Sequence, residues 1–241
     1  MEYIIELCFT IAYVIIMVVA LTGNTLLIYI VWKIKETRVT TSFLFVNMAV
    51  ADLLVTIFQM PVSIVHFYVY EMSDWVGHLT CGFIYYVLYV STTASIFCLA
   101  VMAFDRYFAV VHPMTQDIWF RKSKIIAPIV WISSMALMSV APIAFKSING
   151  KCFVTDAAMP YLPFWTYLLL INYLVPLAII SILYTIVART LWFQQMPGHL
   201  TSRDEQRRLI LKKKVVRTLV IVVVCLQSAG VLCTCLIWTQ L

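Results

Sequence analysis

Two opposite charges and a phenol, Asp105-Arg106-Tyr107, close a long apolar run that continues as Phe108-Ala109-Val110-Val111-His112-Pro113-Met114. An ion pair at the end of a membrane helix avoids deep burial and can be presented to protein in the adjoining water. The guanidinium stays charged and offers five donors. A second polar constellation lies deeper. Asp52 stands ten residues beyond Ser42, about 15 Å along a helix. Ser95 stands eleven residues before Arg106, about 16 Å by the same rise. The two groups therefore share a depth, where a polar pair can tie neighbouring helices together, and a charge that deep is costly enough to suggest a function. Cys98, Cys225, Cys233 and Cys235 fall within apolar runs and read as packed thiols. Cys233-x-Cys235 has no accompanying His or further Cys with which to build a zinc site.

The elements that must position these groups follow from composition. The 241 residues are 63% hydrophobic and 12% charged, with mean hydropathy +0.96, far more apolar surface than a water-soluble core could bury. The chain reads as an all-α integral membrane protein, one transmembrane domain over residues 1–241. Spans are expected at about 6–32, 42–68, 79–111, 125–145, 163–192 and 215–241, each near or above the ~20 residues that cross a bilayer. The first run carries Glu2 and Glu6 where a signal peptide has a basic leader, so it is read as a helix. Pro61, Pro142 and Pro176 fall inside the runs and predict bends. The residues from Lys146 to Leu162 and from Phe193 to Leu211 form the two long loops.

Of 17 Lys and Arg residues, 15 fall on one side of the predicted spans, and Lys146 and Lys151 lie opposite. By the positive-inside rule the N-terminus is extracellular and the basic loops are cytoplasmic. The net charge of +6 is explained by this topology and by attraction to anionic inner-leaflet lipid, so no nucleic-acid partner is inferred. A transporter, channel or intramembrane enzyme would need several ionisable groups at depth, and only Asp52 qualifies.

Taken together, the motifs resemble those of rhodopsin-like (class A) G protein-coupled receptors. The string Asp105 to Met114 looks like the inner end of their third helix. Thr40-Thr41-Ser42-Phe43-Leu44-Phe45-Val46-Asn47 with Ala49, Ala51, Asp52 and Leu53 is similar to the first inner loop and second helix of the peptide-receptor type. Ile96, Trp131, Pro176 and Tyr184 match at further helical positions. The resemblance implies a seven-transmembrane bundle, not an enzyme, located in the plasma membrane. Asp105, Arg106, Tyr107 and Tyr184 would form the switch that meets a heterotrimeric G protein. Asn24, Asp52 and Ser95 would form a polar network holding an allosteric sodium ion, or simply joining three helices. Cys81 and Cys152, both on the oxidising side, would form the family's disulfide, with Trp75-Val76-Gly77 resembling the adjoining outer loop.

The same resemblance bears on the ligand. Amine receptors carry an Asp 17 positions before the Asp of the Asp-Arg-Tyr motif; Leu88 stands there, and residues 82–104 contain no acid. A neuropeptide is the expected ligand, with Gln59, His66, Tyr85, Leu88, Tyr89 and Thr92 facing the outer cavity. Towards the C-terminus the pattern fades. Gln227, Gly230, Val231 and Cys233 stand where the family has an aromatic residue and Cys-Trp-x-Pro, and no Asn-Pro-x-x-Tyr follows. Lys213 replaces the acid that clasps the Arg in some members. The expectation is a C-terminally truncated receptor with helices one to six and helix seven missing. The alternative is a non-signalling six-helix isoform that forms an oligomer with full-length receptors.

Overall fold

Lipid offers no partner to backbone N–H and C=O groups, so an apolar run must satisfy them within itself, as a helix. The computed structural model describes residues 2–33, 39–68, 74–112, 123–148, 151–155 and 163–193. Within them the predicted runs become α1 (Glu2–Lys33), α2 (Val39–Tyr68), α3 (Asp74–Val111) and α4 (Ser123–Leu137). A 3-10 turn over Met138–Val140 leads from α4 into the short α5 (Ala141–Ala144), then into strands β1 (Phe145–Ile148) and β2 (Lys151–Val154). The last described span is α6 (Phe164–Leu169), a π turn over Leu170–Leu174, and α7 (Val175–Phe193). Among the described residues five segments are long and apolar enough to cross a membrane. They are Thr10–Lys33, Ser42–Val62, Thr80–Val111, Ile125–Ala144 and Phe164–Thr190; the expected span 215–241 lies outside the described residues.

Two compact units emerge. The first contains α1, α2, α3 up to Cys98, α4, α5, the strands and α6 up to Leu168. Here α1 packs along α2, and α2 packs on α4. The indole Nε1 of Trp131 donates to Asn47 Oδ1 at 3.1 Å, joining α4 to α2. Gly82 of α3 lies against α5: a Cβ added to it would stand 3.2 Å from the Pro142 carbonyl oxygen.

The bend in the fourth span has a specific cause. Pro142 cannot donate a backbone hydrogen bond, and the chain tightens to 3-10 just before it. The N–H of Ala141 consequently bonds to the Met138 carbonyl instead of reaching back to Leu137. The freed Leu137 oxygen accepts a 2.7 Å hydrogen bond from the Tyr167 hydroxyl, which pins α6 to the end of α4. Pro128, within α4, is a further helical proline that the sequence reading did not single out.

The second unit contains α3 from Leu99, the π turn and α7. The π turn ends just before Val175-Pro176. The ring of Pro176 crowds the carbonyl four residues back, and a wider turn relieves that clash. Pro176 is itself fully buried.

What the sequence reading treated as an outer loop begins as an antiparallel hairpin, with Phe145 opposite Val154, Lys146 opposite Phe153, Ser147 opposite Cys152 and Ile148 opposite Lys151. Phe145, Ser147 and Cys152 are buried and share one face; Lys146 and Phe153 on the other face are exposed. Thr155 closes the hairpin base, donating from its N–H to the Ala144 carbonyl at 2.7 Å and from its hydroxyl to the same oxygen at 3.2 Å.

Candidate functional site

Three clusters contain most of the residues expected to function. The first is the hairpin face and what it covers. Cys152, on β2, is bonded to Cys81 of α3, with Cα atoms 5.9 Å apart, so the expected disulfide is present. It anchors the hairpin over the start of α3. Phe145 then stacks on Tyr85 with ring centroids 4.0 Å apart and planes within 4° of parallel. Tyr89, one turn along α3, lies 5.8 Å from the same ring. Phe164, opening α6, meets Phe145 edge-on at 5.5 Å and Tyr89 edge-on at 5.5 Å. Offset and edge-to-face contacts of this kind each contribute about 0.5–1.5 kcal/mol beyond burial.

Two of the expected ligand-facing residues, Tyr85 and Tyr89, thus sit beneath Phe145, at 8% and 5% exposure. Gln59 is also buried, on α2. Leu88 and Thr92 are half-buried, and Thr92 donates to the Leu88 carbonyl at 2.9 Å. His66 belongs to α2, and its side chain lies outside the described residues. Phe145 and Phe164 were not singled out from the sequence. The signal that could have found Phe145 is Asn149-Gly150, the two-residue hairpin pair, placed between Phe145-Lys146-Ser147-Ile148 and Lys151-Cys152-Phe153-Val154.

The second cluster joins α2 and α3. Ser95 donates from its hydroxyl to Asp52 Oδ1 at 3.3 Å, so the shared depth is a contact. Thr56, one turn on, donates to the Asp52 carbonyl at 2.7 Å. Cys98, three residues beyond Ser95 on α3, is buried. Asn24 behaves differently: its amide donates to the Ala20 carbonyl of its own helix at 3.0 Å. The carboxylate oxygens of Asp52 and the Ser95 hydroxyl are hard oxygen donors, of the chemistry a monovalent cation takes, and the Asp52 side chain is exposed.

The third cluster, in the second unit, is the end of α3 with the middle of α7. Asp105 is buried and Arg106 half-buried. Tyr184 of α7 is 2% exposed. Tyr107 turns instead toward its own helix end. Its ring meets Phe108 edge-on at 5.2 Å, and its hydroxyl stands 3.5 Å from His112 Nε2. The guanidinium stays charged and carries five N–H donors, chemistry suited to an acid or a phenol as partner.

Comparison with known proteins gives the family of the chain. The family described as 7 transmembrane receptor (rhodopsin family) matches residues 23–238. The allatostatin-A receptor of Bombyx mori is 33% identical over 221 residues, 86% of this chain and 59% of its own length. Prokineticin receptor 2 of Bos taurus is 29% identical, covering 88% of this chain and 57% of its own. The substance-K receptor of Homo sapiens is 28% identical, covering 88% and 55%. The chain therefore spans a little over half the length of the curated relatives it matches.

Proposed function

Because this chain belongs to the rhodopsin family of seven-transmembrane receptors, we propose that it receives an extracellular peptide, a neuropeptide, and passes the signal to a heterotrimeric G protein through Asp105-Arg106-Tyr107. What supports this reading is the Asp105-Arg106-Tyr107 string at the end of α3, with Asp105 buried and Arg106 half-buried in the unit that also contains buried Tyr184. At rest the Asp105 carboxylate holds the guanidinium. On activation Arg106 leaves it for Tyr184 and turns its remaining donors to the incoming G protein. The peptide assignment is supported by Leu88, which stands where an amine receptor would place its acid, and by relatives whose names refer to peptides. The basic loops support a plasma-membrane orientation with the N-terminus outside. The Asp52–Ser95 pair is assigned a sodium ion, held by the carboxylate and the Ser95 oxygen.

The test is G protein dissociation, followed by resonance energy transfer, in cells displaying this chain and exposed to a peptide panel that includes allatostatin-A and substance K. A response to a peptide, abolished by Arg106→Ala without loss of surface protein, is the expected result. A response to a monoamine, or a peptide response that survives Arg106→Ala, would overturn the reading. For the ion, sodium should raise the thermal stability of the wild type more than potassium does, and Asp52→Asn should remove the difference.

A further inference from the structure

We propose that the break in the fourth span is a two-position joint, in which the Leu137 carbonyl exchanges its donor between the Tyr167 hydroxyl and the Ala141 N–H, and that the first turn of α6 sets which form is held. At the break two carbonyls compete for one backbone donor. In the form seen here the Ala141 N–H bonds to Met138, three residues back, and the Tyr167 hydroxyl takes Leu137 at 2.7 Å. In the other form the Ala141 N–H returns to Leu137, four residues back, and Met138 loses its donor because Pro142 has no N–H to offer. Each form therefore keeps one backbone bond at the break. The phenol is the addition that satisfies both carbonyls at once and selects the broken form, and within the membrane no water replaces it.

The step between the forms is short. Leu137, Val140 and Ala141 all have right-handed helical torsions, and among them only the Val140 ψ of −27° lies in the 3-10 range. A rotation of about 15° brings it to the α-helical value. Both ends of the joint are attached to the aromatic cluster. On one side α5 leads directly into Phe145, whose N–H bonds to the Ala141 carbonyl. On the other, Tyr167 follows Phe164 by three residues on the same side of α6. Phe164 meets the rings of Phe145 and Tyr89 edge-on, each at 5.5 Å. The first turn of α6 thus touches the cluster with one residue and holds the joint with another, so displacing Phe164 releases Leu137 and lets the fourth span close to a regular helix. On the peptide-receptor reading above, a ligand that pushes Phe164 aside would act on the fourth span by this route; the joint itself does not rest on that reading.

The test needs no ligand. Leu137-Met138 is the only Leu-Met step in the chain. Nuclear magnetic resonance of the purified chain in nanodiscs, with carbon-13 at the leucine carbonyls and nitrogen-15 at methionine, therefore reports the Leu137 carbonyl alone. Pro142→Ala restores the missing N–H and supplies the reference signal for a regular helix. Wild type should give one dominant signal distinct from that reference. Tyr167→Phe keeps the ring and loses the donor, and should raise the population at the reference position about tenfold. Phe164→Leu, which loses the ring contacts but stays apolar, should raise it by a smaller factor. Tyr86→Phe removes another phenol-to-carbonyl contact on this span, 3.4 Å to Met135, and should change nothing. With Pro142→Ala in place each carbonyl has a backbone donor, so adding Tyr167→Phe should not move the signal further. A Tyr167→Phe spectrum identical to wild type would overturn the joint, as would a move to the position of a donor-free carbonyl with nothing at the reference. An equal change in Tyr86→Phe would show general loosening of the span and would also overturn it. An unchanged Phe164→Leu spectrum would overturn the control by α6. Circular dichroism of each variant verifies that the helices are retained.

Discussion

Replacing Phe145 by Ala removes the ring on which the hairpin rests. Phe145 is 2% exposed and touches Tyr85, Tyr89 and Phe164. Truncating a buried Phe to Ala costs about 3–5 kcal/mol, with the upper part of that range reached when the surroundings cannot collapse into the space. Collapse is restricted here on both sides. The strand carrying residue 145 is closed at its base by the two hydrogen bonds from Thr155 to Ala144, and β2 is bonded to α3 through Cys152. A loss of about 4 kcal/mol is therefore expected, and by the scaling for chains of this size it lowers the melting temperature by about 10 °C. Phe145→Leu, which keeps most of the volume, should cost only about 1.5 kcal/mol. The measurement is thermal unfolding of the purified chain in detergent, followed by near-ultraviolet circular dichroism of the aromatic side chains. Toluene supplies a second arm. An apolar cavity of this kind binds small aromatics, so it should raise the melting temperature of Phe145→Ala and leave the wild type unchanged. A fall of less than 3 °C, or no effect of toluene on the Ala variant, would refute the argument that the four rings form a packed unit.

The remaining predictions use the same unfolding assay. Tyr167→Phe leaves the Leu137 carbonyl without its donor and should cost about 1–3 kcal/mol; an unchanged melting temperature would mean that the carbonyl is satisfied without Tyr167. Cys152→Ser opens a disulfide between residues 71 apart in sequence and should cost about 4 kcal/mol by the loop-closure argument, with Cys81→Ser giving the same loss and the double variant no more. Gly82→Ala places a methyl 3.2 Å from the Pro142 oxygen, a contact that backbone atoms on both sides cannot easily relieve, and should cost about 1–3 kcal/mol. By contrast, Gly23→Ala, with open space around its Cβ, should be neutral or slightly stabilising, because Ala is the better helix former.

Much of this molecule can be read along the chain because its solvent is apolar. A run such as Thr10–Lys33 has to be a helix wherever its neighbours lie, since each backbone group must find its partner four residues away. The same holds for the Asp52–Ser95 contact, because depth in a membrane helix is a count of residues, and two polar groups at one depth on adjacent helices can meet. The hairpin was legible in principle through Asn149-Gly150, yet reading the segment as a loop missed it. The break in α4 was half legible. Pro142 predicts a bend, but the 3-10 turn before it and the freed Leu137 oxygen follow from how the chain relieves the missing N–H.

Other features have no linear signature. Tyr85 and Tyr89 have the spacing of cavity-lining residues, and whether they face a cavity depends on a phenylalanine some sixty positions later, delivered by a strand pairing and a disulfide. Asn24 has the identity of a network residue, yet its amide bonds within its own turn, a choice made by local geometry that residue type does not reveal. The sequence alone located the apolar spans and put Asp52 and Ser95 at one depth, because hydropathy and helical rise act locally or by depth, while the family and the disulfide partners were expectations carried by the resemblance of its motifs. Folding in three dimensions settled which ring covers α3 and which tyrosine satisfies the broken fourth span. Those contacts depend on how side chains from distant segments fill the same space, and close packing is a property of the assembled helices.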